Sequence, residues 1–248
     1  LGFSQQQAGR LTSFFKDEQI PGGVIFKLSP FFIYFLFKQR DYFLLIKFKY
    51  ILILFLYFSI LITGERLSSL LATFALLIIF TMNIKNIKLP NLAIYTTIFI
   101  SFFSFLYFKE DSVLAERISY TFLQLDQNVY FFMFRNAFEI FKDNIFFGTG
   151  LQTYRFECHL LFQNCSTHPH NFFLELLSDT GIFGVLTFYI CLIIMVYRKI
   201  KYVKNNILSR SIILSYTLLL FFPLLPSGSF FNSFGMNITW FSLGFIYT

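Results

Sequence analysis

An all-α, polytopic membrane protein is the architecture this sequence calls for, on three observations. Hydrophobic residues fill 56% of the 248 positions and charged residues only 13%, with a mean hydropathy of +0.64. A soluble domain carries roughly a quarter charged residues. Apolar runs of membrane length alternate with short charged connections, and a helix needs about 20 mainly apolar residues to cross the hydrocarbon core. The basic residues behind the net charge of +7 sit in small clusters between those runs. That is the pattern of cytoplasmic loops, so the expected partner is the lipid bilayer and not a nucleic acid. The 40 Phe, with many Ile, Asn and Lys, fit an AT-rich genome and carry no functional weight.

Seven spans are expected, in chain order. Ile20–Phe37 opens the series, interrupted by Lys27 and Pro30. Leu44–Thr63 and Leu67–Ile84 follow, separated by the turn Gly64-Glu65-Arg66. Leu89–Phe108 is the fourth, Gly181–Tyr197 the fifth, Ile207–Leu225 the sixth and Phe234–Tyr247 the last. Lys38, Arg40, Lys47 and Lys49 follow the first span, Lys85 and Lys88 the third, and Arg198, Lys199, Lys201 and Lys204 the fifth. Those three loops alternate correctly to share the cytoplasmic side. The other face then holds residues 1–19, the Gly64–Arg66 turn, the long segment 109–180 and Pro226–Ser233. Segment 109–180 carries five basic residues against nine acidic ones, a balance that suits an external loop within one membrane domain spanning 1–248. Leu1 follows no basic signal region, so the chain is expected to be a fragment or to lack its start. An external N-terminus would imply an odd number of further spans upstream if the true start is cytoplasmic.

Within the external segment, Val129–Ile145 is expected to be a helix. Phe131, Phe134, Phe138 and Phe141 recur at intervals of three and four, a stripe suited to lipid or to the helix bundle. Phe147-Gly-Thr-Gly150 then breaks it.

Chemistry-bearing side chains gather just before the fifth span. Cys158, His159, Cys165, His168 and His170 are five potential metal ligands, and Cys/His clusters of this kind can bind zinc. Their spacing matches no standard zinc finger, and on the oxidising side of a membrane two such cysteines more often close a disulfide. Cys191 lies within a span and reads as a buried apolar residue. His170 and Asn171 begin a helix through Phe172-Phe-Leu-Glu-Leu-Leu. A histidine there feels the positive end of the helix dipole, which favours neutral imidazole, and neutral imidazole can accept a proton from a hydroxyl. On the residues alone, a capping or interfacial histidine is the commoner outcome. Pro169 fixes the backbone beside His168, which suits a role in orienting the loop.

The arginines form a second set. Arg66 lies in the turn Ile62-Thr-Gly-Glu-Arg-Leu-Ser-Ser69, and Arg10, Arg135 and Arg155 fall on the same expected side. A guanidinium forks onto phosphate oxygens as lysine cannot, so together they suit a phosphate-bearing lipid head group. Each alone is more simply headgroup snorkelling or a pair such as Glu65–Arg66. The sequence contains no Gly-rich phosphate loop, Ser-His-Asp motif or Asp-x-Asp metal motif.

From His170 the pattern becomes specific. His170-Asn171, nine residues, Gly181, two residues and Gly184 resembles the motif of the O-antigen ligase and O-antigen polymerase superfamily of bacterial membrane glycosyltransferases. Gly9-Arg10-Leu-Thr-Ser-Phe-Phe resembles its Arg-x-Ser-Gly-Phe-type stretch before a span, with Ser13 where Gly is expected. Thr63-Gly-Glu-Arg66-Leu-Ser-Ser resembles its Ser-Arg-Gly turn, with Glu65 where a small polar residue is common. Arg135-Asn-Ala-Phe, with Lys142-Asp-Asn-Ile-Phe-Phe-Gly148-Thr-Gly150, resembles its Arg helix and Gly-x-Gly stop.

The resemblance implies a donor glycan on undecaprenyl pyrophosphate and an active site facing the periplasm from the bacterial inner membrane. It also implies a glycan or lipid A-core acceptor, inversion at the anomeric carbon, and no required metal or cofactor. By the same resemblance His170 would be the base, with Arg66 and Arg135 on the pyrophosphate and Arg10 beside them. Asn171, Glu175 and His168 would support the base. Two other classes are weighed against this one, a polysaccharide or ion transporter without chemistry and a zinc-dependent outer-face hydrolase. A transporter would place its polar residues mid-span, whereas here they cluster at the outer ends.

Overall fold

A computed structural model of the chain describes residues 5–6, 10–11, 20–38, 43–83, 100, 129–162, 165–203, 206–231 and 234–247. Among these the protein is helical, apart from a two-residue antiparallel pair, β1 (Gln5–Gln6) and β2 (Arg10–Leu11). Eight helices are described. They are α1 (Pro21–Lys38), α2 (Phe43–Ile62), α3 (Arg66–Asn83), α4 (Val129–Asp143), α5 (Tyr154–Leu161), α6 (Phe172–Tyr202), α7 (Ile207–Leu220) and α8 (Phe234–Tyr247).

Helices α1, α2, α3 and α8 fall within a residue of the expected spans. The expected span Leu89–Phe108 lies outside the described residues, except Ile100. Helix α7 stops at Leu220, short of Leu225, because Pro223 disfavours helical backbone just ahead of it. Among the described residues, α6 alone is long and apolar enough to cross a membrane, with a mean hydropathy of 2.2 in its apolar part. Shorter apolar helical stretches occupy Pro21–Leu36, Ile51–Ile62, Leu67–Asn83 and Ile207–Leu220.

The chain forms two compact units. One comprises Leu1–Lys109, Arg198–Leu220 and Ile238–Thr248. Its core is Phe26, Ile33, Tyr57, Ile60, Ala75, Ile79, Ile212 and Tyr216, contributed by α1, α2, α3 and α7. Small residues such as Ala72 and Ala75 let α3 approach its neighbours, the device that replaces hydrophobic drive between helices in lipid. Several buried polar groups pair across the helices. Tyr57 Oη lies 3.0 Å from Thr73 Oγ1, Asn83 Nδ2 donates to Ser211 Oγ at 2.9 Å, and Ser29 Oγ lies 2.8 Å from Tyr216 Oη.

Two features of this unit answer local problems set by the sequence. Pro30 has no N–H to offer the carbonyl four residues back, yet α1 runs through it. Ser29 Oγ supplies the missing donor, bonding Phe26 O at 2.6 Å. The second is Glu65, where the resemblance led us to expect a small polar residue. Its carboxylate accepts from Gly22 N at 2.6 Å and Gly23 N at 2.8 Å, capping α1, and from Ser68 Oγ at 2.9 Å in α3. Glu65 thus pins the starts of two helices together.

The other unit comprises Glu110–Tyr197 and Phe221–Asn237. In α4, Phe131 and Phe138 of the Phe stripe are exposed, while Asn136, Ala137 and Ile140 are buried. The reason is α5, whose Tyr154 and Cys158 pack against Ala137 and Ile140 and draw that face of α4 inward.

Candidate functional site

The start of α6 is built as a cap. Asn171 Oδ1 accepts from Leu174 N at 2.9 Å, the standard N-cap bond, worth about 1 kcal/mol. The helix therefore begins at Phe172, and His170 lies outside it rather than in its first turn. His170 takes φ 53°, a left-handed backbone rare for a residue with a side chain. That turn brings its imidazole against His168, with ring centroids 4.2 Å apart, and presents it to the edge of Tyr130 at 5.6 Å and 90°. His168 Nδ1 lies 3.1 Å from Thr167 Oγ1. Its Nε2 is buried and has no hydrogen-bond partner among the described residues.

A second segment, Pro223–Phe230, closes around this start. Ser227 N donates to His170 O at 2.9 Å, and Phe172 N donates to Ser227 Oγ at 2.7 Å. Asn171 Nδ2 donates to Pro223 O at 2.7 Å and to Leu225 O at 3.2 Å. One turn further on, the buried Glu175 accepts from Ser229 Oγ and Phe230 N, each at 2.5 Å. Asn171 and Glu175 were expected to support and orient His170, and their side chains engage this segment.

The far end of the short first part of α6 is equally anchored. The helix kinks at Gly181, with φ 64° and ψ −168°. A kink frees backbone groups that an unbroken helix would pair, and residues 145–150 take them up. Thr149 N donates to Ser178 O at 3.0 Å and Gly150 N to Asp179 O at 2.9 Å. Ile182 N donates to Ile145 O at 2.9 Å and Phe183 N to Phe146 O at 3.3 Å. The approach is so close that a Cβ on Gly181 would strike the Phe146 carbonyl, and one on Gly148 would strike that of Asp179. Beyond the kink, Ile182–Tyr202 is about 30 Å long at ~1.5 Å per residue, the thickness of a bilayer core.

Asp179 then carries the connection outward. Its carboxylate accepts from Gln152 N at 2.7 Å and Tyr154 N at 3.1 Å. Thr153, the local N-cap of α5, makes no side-chain cap bond, so Asp179 caps that helix from a distance. In α5, Cys158 Sγ lies 2.03 Å from Cys165 Sγ, in bonded contact. Cys165 opens the run to His168 and His170. The histidine loop is thus tied at one end to α6 through Asn171 and at the other through α5 and Asp179.

Electrostatics favour uncharged imidazoles. Burial pushes His170 below the ordinary histidine value of 6.5. Burial, reinforced by the neighbouring His170, takes His168 down to about 4. Burial adds to the helix-dipole effect expected from the sequence, in the same direction. Two neutral rings side by side can accept a proton from a bound hydroxyl, and each opposes charge on the other.

Of the residues singled out from the sequence, His168, His170, Asn171 and Glu175 come together here. Arg135 is exposed on α4 in the same unit, five residues from Tyr130. Arg66 opens α3 and Arg10 lies in β2, both in the first unit. His159 is exposed on α5. Among the described residues no three of His, Cys, Asp and Glu converge as metal ligands would. Sequence reasoning missed Ser227, Ser229 and Asp179, whose side-chain partners are 25 to 55 residues away.

Among the described residues the chain is helical, and it gathers His168, His170, Asn171 and Glu175 at the start of the helix that is long and apolar enough to cross a membrane. A family model described as O-antigen ligase matches residues 50–189, more than half of the chain, and the protein belongs to that family. Membership points to a membrane enzyme of glycan transfer, of the ligase or polymerase type. The matched region includes Arg66, Arg135, His170, Asn171 and Glu175, whereas Arg10 and Pro223–Phe230 lie outside it. No curated protein matches the chain.

Proposed function

We propose that this protein transfers a glycan from an undecaprenyl-pyrophosphate-linked donor to a sugar hydroxyl, on the periplasmic face of the bacterial inner membrane. The observation that carries this reading is the half-buried His170, its pKa lowered by burial, held just outside the capped start of the membrane-length helix. A base with a depressed pKa stays deprotonated near neutral pH, where general-base catalysis requires it.

In the reaction the acceptor O–H gives its proton to the His170 imidazole as its oxygen attacks the anomeric carbon. The bond from that carbon to the pyrophosphate oxygen breaks, its electron pair leaves with undecaprenyl pyrophosphate, and one displacement inverts the centre. Arg66 and Arg135 are assigned to the pyrophosphate, with Arg10 as a further candidate, to balance its growing charge. The chain is read as seven spans with 109–180 as an external loop, and the chemistry needs no metal or cofactor.

The test is incubation of purified protein with a lipid-linked oligosaccharide and both acceptor types, a second lipid-linked repeat and a lipid A core. Release of undecaprenyl pyrophosphate with a longer lipid-linked glycan marks a polymerase. The same release with a glycosylated core marks a ligase. Donor bound but unchanged with either acceptor overturns the reading in favour of a transporter without chemistry.

A further inference from the structure

We propose that Pro223–Phe230 is a working part of the site, with Ser227 as the positioning residue that aims His170. The inference rests on His170 being the base. The segment lies outside the region that matches the family, and it contributes no charged side chain. What it contributes is backbone and hydroxyl geometry.

His170 precedes the helix at a left-handed φ of 53°. Such a backbone on a residue with a Cβ persists only where its surroundings over-determine it. The over-determination is visible residue by residue. Ser227 brackets the turn, its N–H on the His170 carbonyl at 2.9 Å and its Oγ on Phe172 N at 2.7 Å. Between those bonds, Asn171 reaches the Pro223 and Leu225 carbonyls. Glu175 anchors the far end of the segment through Ser229 and Phe230 N. The peptide bonds flanking Asn171 are therefore held from outside the helix, and the direction of the His170 Cα–Cβ bond follows from them. A base displaced by about 1 Å can lose on the order of 10²-fold in rate, so this clamp belongs to the kinetics as well as to the fold.

Ser227→Ala removes the acceptor for Phe172 N and keeps the N–H on His170. Ser227→Thr keeps both. Purified full-length proteins are assayed for glycan transfer from a lipid-linked oligosaccharide, alone and combined with His170→Ala. The expected result for Ser227→Ala is a kcat lower by roughly 10- to 100-fold, with donor KM within about twofold of the parent, and recovery of most of the rate in Ser227→Thr. On the His170→Ala background Ser227→Ala is expected to cost nothing further, since no base remains to be aimed.

An equal loss on both backgrounds, or a raised KM with kcat intact, overturns the clamp. So does an unchanged rate in Ser227→Ala beside an impaired His170→Ala, which rejects the clamp and leaves the base standing. A fully active His170→Ala rejects the base itself. Where Ser227→Ala does not accumulate, Glu175→Gln loosens the other end of the segment. It is expected to lower kcat without raising KM, and an unchanged kcat there also overturns the proposal.

Discussion

Replacing Gly181 by alanine attacks the joint on which the site is mounted. Two costs can be worked from the structure. First, φ 64° with ψ −168° is a region open almost only to glycine, and a residue with a side chain held there stores about 1–3 kcal/mol. Second, the new methyl would meet the Phe146 carbonyl and lie 2.6 Å from Phe147 N. Both are backbone, so the 145–150 loop has to move away. It is fixed to the kink by four backbone bonds, from Thr149, Gly150, Ile182 and Phe183, and each is worth about 0.5–1.5 kcal/mol. Losing two of the four along with the strain gives a destabilisation of about 2–6 kcal/mol.

Gly244 in α8 is the internal control, because a Cβ there meets nothing within 4 Å. Gly244→Ala should be neutral or stabilising by up to about 1 kcal/mol. The assay is reversible unfolding in mixed micelles, followed by tryptophan fluorescence and by protease cleavage between α4 and α5. A Gly181→Ala protein within about 1 kcal/mol of the parent would refute the reasoning, since neither the strain nor the collision would then exist as described.

Three further outcomes are expected. The transfer rate should fall with falling pH with its midpoint below the ordinary histidine value of 6.5, because protonation removes the base and burial lowers the His170 value; a midpoint above 6.5 in kcat against pH would contradict this. Cys158 and Cys165 should resist alkylation in isolated membranes until reduced, and their joint replacement by Ser should lower stability by about 2–3 kcal/mol with kcat nearly intact; alkylation of both without reductant would contradict the pairing. Cysteines placed at Lys85 and Lys201 should react with an impermeant maleimide only after permeabilisation, and one at Asn128 in intact cells; the reverse pattern would put the site on the wrong side for its substrates.

Much of the fold was legible because helices in lipid advertise themselves through composition. The ends of α1, α2, α3 and α8 follow the edges of apolar runs. Asn171 was legible as a helix start, being an N-cap type immediately before an apolar run. The burial pattern of α4 was not, because the Phe stripe at intervals of three and four competes with Ala137, whose smallness matters only once α5 is known to sit there. Glu65 looked like half of a local ion pair with Arg66, and only the folded chain brings it to Gly22 and Gly23.

The site divides in the same way. His168, His170, Asn171 and the glycines announce themselves by residue type, and the motif groups them. Their supports do not. Asp179 caps a helix that begins 25 residues earlier, and Ser227 meets Phe172 across 55. A serine between Pro226 and Gly228 reads as turn chemistry and nothing more, and no periodicity links it to a histidine so far away. Tertiary hydrogen bonds of this kind have no signal in a single sequence.

The measurement that decides whether His170 is the base is the single-turnover rate of glycan transfer by purified His170→Ala protein, with donor bound to saturation and chelator present. The account predicts a loss on the order of 10²–10⁴-fold, with donor affinity and folding retained and with His168→Ala less impaired. A His170→Ala protein that transfers glycan at the parent rate would contradict it.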